Sequence, residues 1–134
     1  MLGDKIVDAT GKVSGTRVLP SEGSGPRVEV SFTQMDKVLG TEATEMGTYV
    51  STVQADGTVY GEGQGVLMGK GGEMASWRGG GVGRFKQDGS ISFRGAIYYQ
   101  SGHPAWSKLS SMVGVFEYEQ SATGDTKGQV WEWK

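Results

Sequence analysis

Glu62 stands between two glycines, Gly61 and Gly63, and a carboxylate whose neighbours lack side chains can be approached closely by a ligand. In an apolar cavity its pKa would rise, and it could then act as an acid or base near neutrality. Glu45, Glu117 and Glu119 are the alternative carboxylates. If neighbouring strands are joined by three-residue loops, Gln64 opposes Arg78 and Arg78 opposes Tyr98. Glu62, Arg78 and Tyr98 are therefore the candidates for handling charge and protons. The ordinary reading of this face, which also carries Arg84 and Arg94, is a solvated sheet surface with cross-strand pairs contributing about 0.2–1 kcal/mol each. The alternative turns the faces round and places these groups in a ligand cavity, where an Arg or Glu needs a partner or a charged ligand to offset desolvation.

Other chemistries are thinly supplied. His103 is the single histidine, so a Ser-His-Asp arrangement would have to use it and a multi-histidine metal site is impossible. Between Gly102 and Pro104 it reads as a loop residue; the functional alternative is an acid or base on a lid at a barrel mouth, beside Trp106 and Lys108. The chain has no cysteine, which removes disulfides, cysteine-rich zinc sites, iron–sulfur ligation and thiol catalysis. Neither GxGxxG nor GxxxxGK[ST] occurs, and the runs Gly79 to Gly81 and Gly69 to Gly72 do not open helices that could hold a phosphate. No metal and no cofactor is expected. A net charge of -2 with interspersed signs offers no footprint for nucleic acid or an anionic membrane. The segment MLGDKIVDATGK has no basic stretch followed by an apolar one, so the expectation is a soluble, cytoplasmic protein.

The elements that must position these side chains are strands. A chain of 134 residues suits one domain, residues 1–134, with a single core. Its 24 glycines accompany only 3 prolines and a full set of aromatics, so they punctuate a folded chain. Turn signals recur at Ser21 to Pro26, Ala55 to Gly57, Gly69 to Gly72, Gln87 to Gly89, Ser101 to Pro104 and Ser121 to Gly124. Between them lie segments rich in Val, Ile, Thr and aromatics. The strands expected are Lys5 to Leu19, Arg27 to Met35, Glu42 to Gln54, Thr58 to Met68, Glu73 to Lys86, Ile91 to Gln100, Met112 to Gln120 and Thr126 to Lys134. Pro104 to Ser110 is the one helical turn. About eight long antiparallel strands in sequence order make an all-β, up-and-down barrel, whose closure removes exposed edges; a two-layer sandwich is the rival.

Glycine at every second position, at Gly61, Gly63 and Gly65 and again at Gly79, Gly81 and Gly83, strips side chains from one face of two neighbouring strands. Three-residue loops, with Gly57 and Gly89 in the left-handed position, set Tyr49 against Gly63, Gly65 against Trp77, Gly83 against Phe93, Gly79 against Ile97 and Trp77 against Tyr99. A two-residue loop would shift each register by one and mix the faces. One apolar face results, made of Val53, Val59, Leu67, Ala75, Trp77, Phe85, Ile91, Phe93, Ile97 and Tyr99. It should line the interior with Val28, Val30, Phe32, Phe116, Tyr118, Trp131 and Trp133.

The run Gly79-Gly80-Gly81-Val82-Gly83-Arg84-Phe85, leading through Asp88-Gly89 to Ser92-Phe93-Arg94-Gly95, with the later Val113 to Tyr118, resembles the small calycin-like barrels of the allene oxide cyclase type, in their bacterial and archaeal branch. The resemblance spans roughly residues 42 to 134. It implies an eight-stranded barrel with an elongated apolar cavity, often in oligomers; the family's catalytic positions do not map onto this chain. Three functions remain open. The first is a binding barrel for a small apolar or aromatic ligand, held among Tyr49, Trp77, Phe93, Tyr99 and Trp131. The second is a cofactor-independent cyclase or isomerase using Glu62, Arg78 or Tyr98. The third is a structural or homo-oligomerising module with a filled core.

Overall fold

A computed structural model of the chain describes every residue except Glu22 and Ser24. Eight antiparallel strands follow one another around a closed barrel: β1 (Leu2–Leu19), β2 (Arg27–Val38), β3 (Thr41–Val53), β4 (Val59–Gly69), β5 (Met74–Phe85), β6 (Ile91–Gln100), β7 (Val113–Gln120) and β8 (Asp125–Trp133). β8 pairs back onto β1, so no edge is left open. Register shifts near Val13 and Gly15 in β1, and again between Leu2 and Val7, bend that long strand around the closing seam. A 3-10 segment, Pro104–Ser111, joins β6 to β7. No described helix is long and apolar enough to cross a membrane.

Four hairpins share one turn. In each, the residue before the loop pairs with the residue four places on, and a glycine with positive φ closes the loop: Gly57 (88°), Gly72 (90°), Gly89 (85°) and Gly124 (89°). These are three-residue loops ending in a left-handed bulge residue, which only glycine adopts without strain. They set Val53 against Val59, Tyr49 against Gly63, Gly65 against Trp77, Gly83 against Phe93, Gly79 against Ile97 and Arg78 against Tyr98, as expected from the Asp-Gly and Gly-Gly signals. Of the first turn, Ser21 to Pro26, Glu22 and Ser24 lie outside the described residues.

The β2–β3 connection departs from expectation. β2 was expected to end at Met35, yet it runs on to Val38 and turns through Leu39 (φ 48°) and Gly40 (φ 82°), a two-residue loop with both φ values positive. A leucine in the left-handed region is strained. Two features hold it there: its amide donates to the Ile6 carbonyl at 2.9 Å, and its side chain packs on the core.

One end of the barrel is plugged. Trp106 and Leu109 from the 3-10 segment are fully buried against Ile6, Val38, Leu67, Ala75 and Met112. Complete burial of such side chains contributes about 1.5–3 kcal/mol each. His103 caps the segment, its Nδ1 accepting from the Ala105 amide at 3.1 Å, and Lys108 pairs with Glu132 of β8 at 3.0 Å. The segment weighed as an alternative lid is therefore a packed stopper. A second cluster, Val59, Ile91 and Phe93 with Tyr49, Val53, Phe116 and Tyr118, fills the opposite half.

Two expectations about the interior need correction. Trp131 and Trp133 face outward, and Trp133 is 59% exposed. The three-residue loop before Asp125 sets Phe116 against Val130 and Tyr118 against Gly128, so the even positions of β8 point inward and the odd ones out. Opposed residues of an antiparallel pair share a face, and the tryptophans could not join Phe116 and Tyr118. Phe85, opposite Ile91 at the last rung of β5 and β6, is 59% exposed, because there the barrel wall ends and little packs over it.

Candidate functional site

The glycine stripe is floored by rings. A methyl group added at Gly65 would lie 2.5 Å from the Trp77 indole, at Gly61 2.8 Å and at Gly83 2.7 Å from the Phe93 ring, and at Gly47 2.5 Å from Phe32. No side chain beyond hydrogen fits under those rings. Phe32, Tyr49, Trp77, Phe93 and Tyr118 meet at centroid separations of 5.5 to 6.4 Å, with mutual inclinations from 23° to 78°. Such inclined rings form walls rather than one stack. They leave an interior cavity of about 90 Å³, also bounded by Gln34, Glu45, Ile97, Tyr99 and Gly128. An apolar cavity of about 150 Å³ accepts benzene, so the space here suits a smaller molecule.

Polar groups enter this interior from three strands. Gln34 (β2) donates from Nε2 to Glu45 Oε1 (β3) at 2.9 Å, and its Oε1 accepts from the Thr126 hydroxyl (β8) at 2.8 Å. Gly11 lies against the Gln34 side chain, where a methyl group would come within 2.8 Å of its Cγ. Asp36, two residues on from Gln34, shares the inner face and is diagonal to Glu45 across the β2–β3 ladder. Gln34, Asp36, Glu45 and Thr126 are all buried. Neither carboxyl oxygen of Asp36 receives a hydrogen bond from another residue's N–H or O–H. Burial pushes the Asp36 carboxyl well above the usual carboxylate range, and the neighbouring Glu45 carboxyl adds to this. Asp36 thus keeps its proton at neutral pH.

The phenols respond to the same surroundings. Burial raises Tyr99 well above its ordinary value, with repulsion from Glu45 and Asp36 adding to it. Burial also raises Tyr118, and it pushes Tyr49 up to about 12. The Tyr49 hydroxyl donates to Gln120 Oε1 at 2.7 Å. The Trp77 Nε1–H, beside the cavity, is buried without an acceptor. A buried donor left unpaired costs free energy that a suitable acceptor would recover.

Of the residues expected at a binding site, Tyr49, Trp77, Phe93 and Tyr99 border the cavity, whereas Trp131 does not. Glu62 also borders it, and on the outer surface Glu62, Arg78 and Tyr98 come together. With Arg27, Tyr60 and Gln64 they line an open groove of about 620 Å³ on the outer surface, over Gly63, Gly79 and Gly80. There Glu62 accepts from the Tyr60 hydroxyl at 3.1 Å. Glu117 lies 3.9 Å from Arg94 and Glu119 2.9 Å from Lys86, both on the outside. Of the four carboxylates weighed from sequence, Glu45 alone faces the core. The expected end of β2 at Met35, three residues short of Val38, leaves Asp36 out, although one further step of the alternation Val30, Phe32, Gln34 reaches it. Among the described residues no group of three His, Asp or Glu side chains is placed to hold a metal ion.

No family model matches the chain and no curated protein is similar to it in sequence. Solved structures are similar in fold. A "beta-barrel like protein" from Acinetobacter baumannii aligns with a TM-score of 0.85 at 11% identity, over 100% of this chain and 96% of its own. A conserved protein of unknown function from Rhodopseudomonas palustris aligns at 0.82 and 14% identity, over 99% of each chain. An enzyme from Penicillium herquei aligns at 0.69 and 10% identity, over 96% of this chain and 92% of its own. At such identities the likeness extends to the small eight-stranded antiparallel barrel.

Proposed function

We propose that the barrel is a binding module for a small, largely apolar molecule held in its interior. The observation that carries this is the cavity itself: aromatic walls on Phe32, Tyr49, Trp77, Phe93 and Tyr99, with Glu45, Gln34 and the unpaired Trp77 N–H as the few polar contacts. Mostly apolar walls with a small number of placed polar groups are the usual composition of a ligand site. The size of the space sets the ligand at only a few non-hydrogen atoms.

Gly128 supplies the test. It borders the cavity, and a methyl group there would meet only Tyr118 at 3.8 Å and Gln34 at 3.9 Å, ordinary contact distances. Gly128→Val therefore seats its Cβ at ordinary contact distances, and its two γ-methyl groups take up space beside the cavity. Ligand-observed NMR with a panel of small amines, alcohols and hydrocarbons should show binders to the native protein that the folded Gly128→Val variant loses. An identical response from both proteins, or none from either, would point to the scaffold reading.

A second reading, a cofactor-independent isomerase or cyclase of the allene oxide cyclase type, is favoured by one observation, the Asp36–Glu45 pair. A protonated carboxyl group diagonal to a second carboxyl group in an apolar interior is suited to acid–base work. The Penicillium barrel, described as an enzyme, is consistent with chemistry on this scaffold. On this reading Glu45, which borders the cavity, takes the proton-handling role with Asp36 diagonal to it, because Arg78 and Tyr98 line the outer groove and the Glu62 carboxylate is held by Tyr60 there.

A further inference from the structure

The interior contains acid and no base. All thirteen Lys and Arg residues stand on the outer face or the rim: twelve are exposed, and the half-buried Arg27 lines the outer groove. His103, the single histidine, caps the stopper. Asp36 and Glu45 are 6% and 7% exposed. Their hydrogen-bonding neighbours within the barrel are neutral: Glu45 takes a bond from Gln34, which is itself held by Thr126. A charge on either carboxyl group therefore finds no counter-ion from the chain inside the barrel. Removing an ion from water without a counter-ion is among the costliest steps in folding. A neutral ligand would leave that charge uncompensated, and an anionic one would be repelled.

The remaining walls suit the missing sign. Phe32, Tyr49, Trp77, Phe93, Tyr99 and Phe116 border the same cavity as Glu45. Aromatic rings attract a cation within about 6 Å of their centroids, more strongly where water is excluded, and aromatic boxes with a nearby carboxylate are a general solution for ammonium groups. We propose that the interior takes a small organic cation, an ammonium ion with a compact apolar body, placed between the Glu45 carboxylate and the aromatic walls. This rests on the reading of the cavity as a ligand site and names the class of ligand. The available volume, smaller than the space that accepts benzene, limits the cation to about six non-hydrogen atoms or fewer.

Three compounds with one branched skeleton separate the charge from the shape: isobutylammonium, isobutanol and isobutyrate. Titrations of the full chain, followed by NMR and by tryptophan fluorescence, should give an affinity for isobutylammonium about tenfold or more above that for isobutanol, and no binding of isobutyrate. Glu45→Gln, which keeps the shape and an acceptor for Gln34, should remove the preference for the ammonium ion over the alcohol. The order of the three compounds on the unaltered protein decides the question even if that variant fails to fold. Alcohol binding as tight as ammonium binding, or a cation preference that survives Glu45→Gln, overturns the proposal while the cavity remains a ligand site. Binding of none of the three overturns the proposal together with that reading.

Discussion

Replacing Asp36 with asparagine should abolish a pH dependence of stability that the native protein carries between pH 5 and 8. In the folded chain burial and Glu45 hold the Asp36 carboxyl well above its value in the unfolded chain. The folded state therefore binds one proton that the unfolded state has released once pH exceeds about 4. Stability contributed by this group is full below the unfolded pKa, and it declines as pH rises towards the folded one. For a single proton the slope is about 1.4 kcal/mol per pH unit, or about 4 kcal/mol across three units. That is a large share of the 5–15 kcal/mol typical of a domain. Glu42, Asp56 and Asp88, whose pKa values are lowered by Lys70, Thr58 and Ser90, act with the opposite sign, but only in more acid solution. The charged and titratable groups affecting Asp36 are Glu45 from β3 and Tyr99 from β6, with no Lys or Arg inside the barrel. Asparagine keeps the size of aspartic acid and cannot ionise. Urea denaturation at half-unit pH steps should thus show the native protein losing stability from pH 5 to 8 and the variant nearly flat. A flat native profile, or a slope retained in Asp36→Asn, would refute the assignment of the bound proton to Asp36.

Gly65→Ala should destabilise the barrel by about 1–3 kcal/mol, because the new methyl group meets the Trp77 ring at 2.5 Å. Gly128→Ala, whose methyl group finds only ordinary contacts, should match the native protein or exceed it by up to about 1 kcal/mol. Equal urea midpoints for the two variants would show that the glycine stripe is not under the rings. In alkaline titration followed by absorbance at 295 nm, Tyr49, Tyr99 and Tyr118 should ionise only as the barrel opens, since burial raises all three. Their raised values make stability fall as pH climbs above the unfolded phenol value of about 10. Reversible ionisation of all five tyrosines in a still-folded protein would contradict this.

The parts of the fold that were legible from residue order are local ones. A three-residue loop closed by glycine fixes how two adjoining strands face each other, and period-two alternation then assigns every side chain to a face. Tyr49 opposite Gly63 and Trp77 opposite Tyr99 follow from Asp56-Gly57 and Asp88-Gly89 alone. The same logic applied to Ser121 to Asp125 would have turned Trp131 outward; bulk was weighed there above register. The turn at Leu39-Gly40 carries no Asn-Gly or Asp-Gly signal, so β2 was ended at Met35 and Asp36 was left out of the core. Glycines flank Glu62 for reasons of packing on the opposite face, where Gly61 makes room for the Phe93 ring and Gly63 for the β3 chain at Thr48 and Tyr49.

Sequence by itself determined the strand order, the hairpin registers and an apolar face lying over glycine, because each depends on residues close along the chain. Whether that face held a pocket or a packed centre was decided only by closure, which brings β8 against β1 and places Thr126 beside Gln34, 92 positions away. Closure also folds the Phe32, Trp77 and Phe93 rings down onto the glycines and leaves the small cavity between them. The pairing of Asp36 with Glu45 belongs to the tertiary structure for the same reason. A carboxyl group on a half-exposed strand is an ordinary surface residue until the barrel removes water from around it and leaves another carboxyl group as its nearest partner.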